Sequence, residues 1–165
     1  MDQLFVGAGT TGTLMGCADY FRRFSPNTRI IAVDTVGSVT FGGASGPRFI
    51  PGLGTSRRPE VFRPEMVDEV ILVNEIDAVR ACRAIARQYG VLVGGSTGSV
   101  FAAVRERAAR IPAGSRVVAL SPDLGERYLA TIYDDEWVKA RFGVDALNAL
   151  NHSEIPLASW EMNVV

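Results

Sequence analysis

Residues Gly9, Thr10, Thr11, Gly12 and Thr13 follow a short apolar run, Leu4-Phe5-Val6, and lead into a helical pattern that begins near Leu14. Glycines let a backbone approach an anion closely, and free N–H groups at a helix N-terminus point at it. A strand, a turn of glycines and hydroxyls, and a helix start therefore make a phosphate cradle. Two ligands suit such a turn. Gly7-Ala8-Gly9-Thr10-Thr11-Gly12 satisfies G-x-G-x-x-G, and Asp34 closes a second apolar run, Ile30-Ile31-Ala32-Val33. Asp34 comes about 20 residues past the glycines, where an NAD-binding Rossmann module carries its ribose-binding acid. The hydroxyls of Thr10, Thr11 and Thr13 suit a terminal phosphate monoester better than a bridging pyrophosphate. The third possibility is an ordinary tight strand-to-helix turn.

Two further strand ends carry related residues. Gly94-Gly95-Ser96-Thr97-Gly98-Ser99 repeats the device of glycines and hydroxyls before a helix. Another strand end reads Ser121-Pro122-Asp123-Leu124-Gly125-Glu126-Arg127-Tyr128. Each alone reads as a helix cap by Ser or Asp. Together in one small sheet they read as turns converging on a single ligand. The stretch from Gly37 to Pro59 is rich in glycine and proline without periodicity, a long loop of the kind that contributes to sites.

The elements that must position these turns follow from the apolar pattern. Strands are expected at Leu4–Val6, Ile30–Val33, Val70–Val73, Val91–Val93 and Val117–Leu120, and helices at Leu14–Phe24, Ile76–Tyr89, Val100–Ile111, Glu126–Tyr133 and Asp135–Phe142. In the second helix Val79, Cys82, Ile85 and Tyr89 share a face, with Arg80, Arg83 and Arg87 pointing away. Arg105, Arg107 and Arg110 are expected outward on the third. This alternation predicts an α/β fold, a largely parallel twisted sheet flanked by helices, with ligands at the C-terminal ends of the strands. Residues 1–143 are expected to form the partial binding domain and 144–165 a tail, a flexible end or dimer contact.

Composition narrows the class. With 165 residues, 47% of them apolar, the chain has material for one core but not two. A net charge of −1 gives no electrostatic case for nucleic acid or an anionic membrane. Cys17 and Cys82 sit in helical patterns and read as small core residues of a reduced, cytoplasmic protein. The first residues, with Asp2 and no basic flank, do not read as a signal peptide, and no apolar stretch is long enough to span a membrane. The single histidine, His152, makes no metal cluster and reads as a surface side chain.

Four ordered motifs carry a resemblance over about Leu4 to Trp137: Gly9-Thr10-Thr11-Gly12-Thr13, Pro51-Gly52-Leu53-Gly54, Gly94 through Ser99, and Pro122 through Tyr128. In this order the chain resembles the cysteine synthases and cystathionine β-synthases, the fold type II enzymes that use pyridoxal 5'-phosphate (PLP). Ala32 through Val39, Phe41-Gly42 and Gly54-Thr55-Ser56-Arg57 look most like the branch making N-(2-amino-2-carboxyethyl)-L-glutamate. That branch condenses O-phospho-L-serine with L-glutamate and supplies 2,3-diaminopropionate for siderophores. The resemblance implies that Gly9, Thr10, Thr11, Gly12 and Thr13 bind the cofactor phosphate and that Ser96 meets the pyridine nitrogen. A hydroxyl there makes a milder electron sink than a carboxylate would, which suits β-elimination followed by nucleophilic addition. Arg48, Arg57 and Arg58, on or beside the long loop, are candidates for a substrate phosphate or carboxylate, with solvated surface arginines as the alternative.

The chain also departs from the family. Its Schiff-base lysine lies ahead of the phosphate turn, and here the only lysine, Lys139, stands in a late helix without that motif. The Ser/Thr-Gly-Asn loop that holds the substrate carboxylate is absent as well. The expectation is a C-terminal part of a synthase, with no catalytic residue of its own. Its N-terminal half would lie in the same protein or a separate chain, and the whole would act on amino-acid substrates as a homodimer. The alternatives are a cysteine synthase using sulfide, or a non-catalytic phosphate- or nucleotide-binding remnant.

Overall fold

Four short apolar runs become strands: β1 (Gln3–Gly7), β2 (Arg29–Thr35), β3 (Glu69–Val73) and β4 (Val117–Ala119). The computed structural model describes residues 1–152. The strands form one parallel sheet in the order β3-β2-β1-β4. β1 and β2 are central and apolar on both faces, as parallel strands covered on each side must be. Leu4, Val6, Ile30 and Ala32 face α1 (Gly12–Phe24), packing on its Leu14, Met15 and Ala18. Phe5, Ile31, Val33, Ile71 and Val73 face the other way, toward Ala81 of α2 (Glu75–Tyr89) and Val100, Ala103 and Val104 of α3 (Gly95–Arg107). Outside α2 lies a further layer. Val79, Cys82 and Ile85 pack against Ile132, Val138 of α4 (Asp135–Phe142) and Leu150 of α5 (Val144–His152). Residues 144–152 of the expected tail are thus helical. The rest of it, with Pro156 and Trp160, and the side chain of His152 lie outside the described residues.

Several expectations shift. Val91–Val93 is no strand: Val93 makes one antiparallel bridge, to Leu124, and Tyr133 Oη both accepts from its N–H (2.9 Å) and donates to its carbonyl (2.7 Å). A side chain has taken the bonds a neighbouring strand would supply. Glu126–Tyr133 shortens to a 3-10 turn at Glu126–Tyr128, and beyond it the backbone closes separate three-residue turns, Thr131 N–H to Tyr128 O and Asp134 N–H to Thr131 O, while the Ile132 carbonyl accepts from Arg83 Nε at 2.9 Å. Arg83, expected outward, is 9% exposed and ion-paired to Asp135 at 2.6 Å. Arg107 likewise turns in to Glu69 at 2.8 Å.

Asp68 ties the sheet to α1. Its Oδ2 accepts from Arg22 Nη2 (2.7 Å) and from the Ile30 N–H (2.6 Å). Burial raises its pKa, but the bonds from Arg22 and Ile30 and the charges of Arg22 and Arg29 outweigh that and hold it below the usual range. A depressed carboxyl stabilises the fold above its unfolded pKa of ~3.9, and that stability is lost as pH falls through the folded value. Asp68→Asn should therefore cost about 1 kcal/mol at neutral pH and almost nothing in acid. Urea titrations of both proteins at the two pH values check this; a gap that ignores pH would assign the loss to packing instead.

Candidate functional site

The C-terminal ends of β1 and β4 open onto a cavity of about 320 Å³, roofed by the turns singled out in the sequence. Gly9, Thr10, Thr11, Gly12 and Thr13 line it from the start of α1, and Ser96 from the first turn of α3. Gly52 and Leu53 of the long loop and Pro122 and Asp123 after β4 complete the wall. The four motifs, spread over more than a hundred residues of sequence, meet at one place.

The turn before α1 has the electrostatics of an anion site. Among the described residues, the N–H groups of Gly9 through Thr13 donate to no acceptor, and the first protein bond of α1 runs from Met15 N to Thr11 O. No side chain caps α1, and no acidic residue stands in its first turn. α3 is likewise uncapped and without acid, whereas α2 opens with Glu75 and Asp77 and α4 is capped by Asp134. The two helices aimed at the cavity are those with no acidic residue in their own first turn. Thr11 is the one non-glycine with positive φ among the described residues (65°), and its buried hydroxyl has no partner. A β-branched residue in that conformation is strained, and strain of this kind collects at ligand-binding turns. The Ser96 hydroxyl, on a residue only 4% exposed, makes no hydrogen bond among the described residues.

The long loop is fixed in place. Both Glu75 carboxylate oxygens accept from Phe49 N–H (2.9 and 2.8 Å), and Oε1 also accepts from Ile50 N–H at 2.7 Å. Gly54 N–H donates to Ala8 O at 2.9 Å, stitching the loop to the turn before α1. Of the Pro51-Gly52-Leu53-Gly54 motif on the long loop, Gly52 and Leu53 line the cavity, while Gly54 fastens the loop.

None of the three candidate arginines lines the cavity. Arg48 donates to the Gly37 carbonyl and to Ser56 Oγ, bracing the loop. Arg57 pairs with Glu60 at the surface, and Arg58 lies over the Phe62 ring at 5.2 Å. Asp34, the acid of the NAD reading, is fully buried, and the cavity does not reach it. Burial raises its pKa against the opposing pull of Ser38, the Thr35 N–H and Arg48. A carboxyl enclosed in this way has no face to offer a ribose. Cys82 is no nucleophile: burial pushes its thiol up to about 12. Lys139 is half-exposed on α4, 3.9 Å from Glu136, and stands apart from the cavity. No group of His, Cys, Asp and Glu among the described residues could hold a metal ion, and no helix there is long and apolar enough to cross a membrane.

Comparison with known proteins agrees with this geometry. A family model described as pyridoxal-phosphate dependent enzyme matches residues 1–123. The chain is 46% identical over 137 residues to an N-(2-amino-2-carboxyethyl)-L-glutamate synthase of Ralstonia nicotianae, covering 83% of this chain and 40% of that protein. It is 42% identical over 155 residues to the protein of the same name from Cupriavidus metallidurans, covering 90% of this chain and 46% of the relative. Among solved structures, an O-acetylserine dependent cystathionine β-synthase from Helicobacter pylori superposes with a TM-score of 0.75 at 34% identity, over 81% of this chain and 44% of that one. An O-ureido-L-serine synthase gives 0.76 at 31% identity, over 84% and 46%. The chain thus spans somewhat under half the length of these relatives, in the fold type II arrangement of a parallel sheet between helices. With its glycine-threonine turn and its α3 serine at one cavity, and with three-quarters of its length matched, the chain belongs to the pyridoxal-phosphate dependent enzymes.

Proposed function

We propose that this chain is the phosphate- and ring-binding part of a PLP-dependent β-replacement synthase that joins O-phospho-L-serine to L-glutamate, giving N-(2-amino-2-carboxyethyl)-L-glutamate for 2,3-diaminopropionate and siderophore synthesis. The observation that carries the reading is the unpaired N–H turn of Gly9 through Thr13 facing the same cavity as Ser96. The donor set fits the cofactor: free N–H groups at a helix start for its phosphate, and an unengaged hydroxyl for its ring nitrogen. The 46% and 42% identities to synthases of that name support the choice of substrates. Bound PLP supplies an electron sink for loss of a β-leaving group and addition of a nucleophile. The chain's own part is to fix the phosphate through α1, to orient the ring through Ser96, and to close one wall with the Glu75-braced loop. The cofactor-binding lysine and the substrate-carboxylate loop come from sequence outside these 165 residues, in the same protein or a partner chain. The complete enzyme is a cytoplasmic homodimer in this reading, in keeping with the free Cys17 and Cys82.

PLP and NAD titrations of the protein, each with wild type and Thr11→Val, test this. Valine keeps the shape of Thr11 and removes a buried hydroxyl without a partner, so the unliganded protein should gain about 1 kcal/mol in stability. PLP affinity should fall about tenfold in the same variant. Tighter binding of NAD than of PLP would overturn the family role of the turn. Product assays on protein purified from its source cells, offered O-phospho-L-serine with glutamate or with sulfide, decide the acceptor; turnover with sulfide alone would make it a cysteine synthase.

A further inference from the structure

The segment that leads into α3 is held by a side chain where a sheet would usually hold it. Val93 faces Leu124 in an antiparallel bridge, closed by Gly94 N–H to Asp123 O (3.2 Å) and Gly125 N–H to Leu92 O (2.9 Å). Those bonds come from the neighbours of Val93, so its own N–H and carbonyl point to the opposite edge, where a further strand would pair. The Tyr133 hydroxyl stands there instead, accepting from Val93 N–H at 2.9 Å and donating to Val93 O at 2.7 Å. Val93 is buried, so water is a poor substitute for either bond. Burial pushes the phenol up to about 12, so it keeps the proton that the carbonyl receives. Tyr133 is itself anchored. Arg83 of α2 donates to the Ile132 carbonyl at 2.9 Å and pairs with Asp135 at 2.6 Å, gripping the chain on both sides of it.

We propose that Tyr133 is a positioning residue for Ser96, fixing through Val93 where the first turn of α3 presents its hydroxyl. This rests on the reading of the cavity as a PLP site and goes beyond it. Tyr133 does not line the cavity and acts through the backbone. Ser96 comes three residues after Val93, and its hydroxyl makes no hydrogen bond among the described residues, so the backbone that carries it sets its place. Gly94 and Gly95 lie between, and glycine backbone resists displacement least. The same anchored segment also packs on that turn: an added Cβ on Gly95 would stand 3.0 Å from Ile132 Cδ1. A hydrogen bond to a ring nitrogen needs a heavy-atom distance of about 3 Å and good alignment. A loosened Val93 would therefore be felt at Ser96.

The test uses the holoprotein from its source cells, carrying PLP labelled with nitrogen-15 in the ring and observed by NMR. In Tyr133→Phe the ring-nitrogen signal should move toward its position in Ser96→Ala, and PLP affinity should fall about fivefold. Asp68→Asn, which loosens the tie between the sheet and α1, should leave the signal in place. In the Ser96→Ala background, Tyr133→Phe should change affinity by less than about twofold, since the group it positions is gone. An unmoved signal in Tyr133→Phe, or an equal loss of affinity in both backgrounds, would sink this inference and leave the cofactor assignment standing. Should Tyr133→Phe fail to fold, Asp135→Asn weakens the same grip from outside and should move the signal the same way by less. No movement there would overturn the inference equally. Wild type that binds no PLP at all would overturn the assignment and this inference with it.

Discussion

Gly9→Ala is expected to raise the dissociation constant for PLP about a hundredfold while leaving the fold intact. A Cβ on Gly9 would stand 2.5 Å from the Gly52 carbonyl oxygen and 3.6 Å from its carbon. That obstacle is backbone, which cannot swing aside as a side chain would. Nor is the segment free to retreat, since Gly54 is bonded to Ala8 and the Glu75 carboxylate holds Phe49 and Ile50. Gly52 in turn sits against the Ser96 hydroxyl, so a displacement at Gly9 is passed on to Ser96. Gly16, in α1 and outside the cavity lining, offers the control. An added Cβ there meets nothing within 4 Å, so Gly16→Ala should bind PLP within about threefold of wild type. Fluorescence titration with PLP, with circular dichroism as the check on folding, separates the two. Equal affinity in both variants would mean that the loop yields freely and is no fixed wall.

The parts of this site that the sequence disclosed are those written in local backbone chemistry. A strand, glycines and hydroxyls, then a helix announced the α1 turn, and the same pattern announced Ser96. β1 through β4 were legible because buried parallel strands read as short apolar runs. What escaped were features decided by partners distant in the chain. Gly94 through Ser99 looked like loop, yet Gly95 already begins α3, because the small residues allow that helix to lie against α2. Arg83 and Arg107 kept the helical period of exposed residues, but the Ile132 carbonyl, Asp135 and Glu69 drew them inward. Val91–Val93 had the composition of a strand and lost its ladder to the Tyr133 hydroxyl. Sequence periodicity cannot report a hydrogen bond to a residue forty positions away. The absence of acid in the first turns of α1 and α3 was readable from the start, and in the fold it marks the two helix ends that line the cavity.

Gly98→Ala tests the packing beneath that meeting point and carries the largest expected loss of stability, about 2 to 3 kcal/mol. The new methyl would fall inside contact distance of both the Ala78 carbonyl oxygen and Cys82 Sγ on α2, and 3.1 Å from Ala78 C. Ala78 is fully buried within α2, so its carbonyl can yield only if the helix moves. α2 and α3 must therefore part, and α2 carries Glu75 while α3 carries Ser96, so the cavity opens as the helices separate. For a protein of this size the melting temperature should drop by roughly 4 to 12 °C, with weaker PLP binding alongside. The double variant Gly98→Ala with Cys82→Ala distinguishes the two obstacles. If the thiol were the barrier, removing it would restore most of the loss, at the small cost of a vacated core position. With the Ala78 backbone as the barrier, less than half should return. A single variant melting within about 1 °C of wild type would mean that α2 and α3 separate without resistance. The close helix contact would then not be what holds Ser96 in register with the phosphate turn.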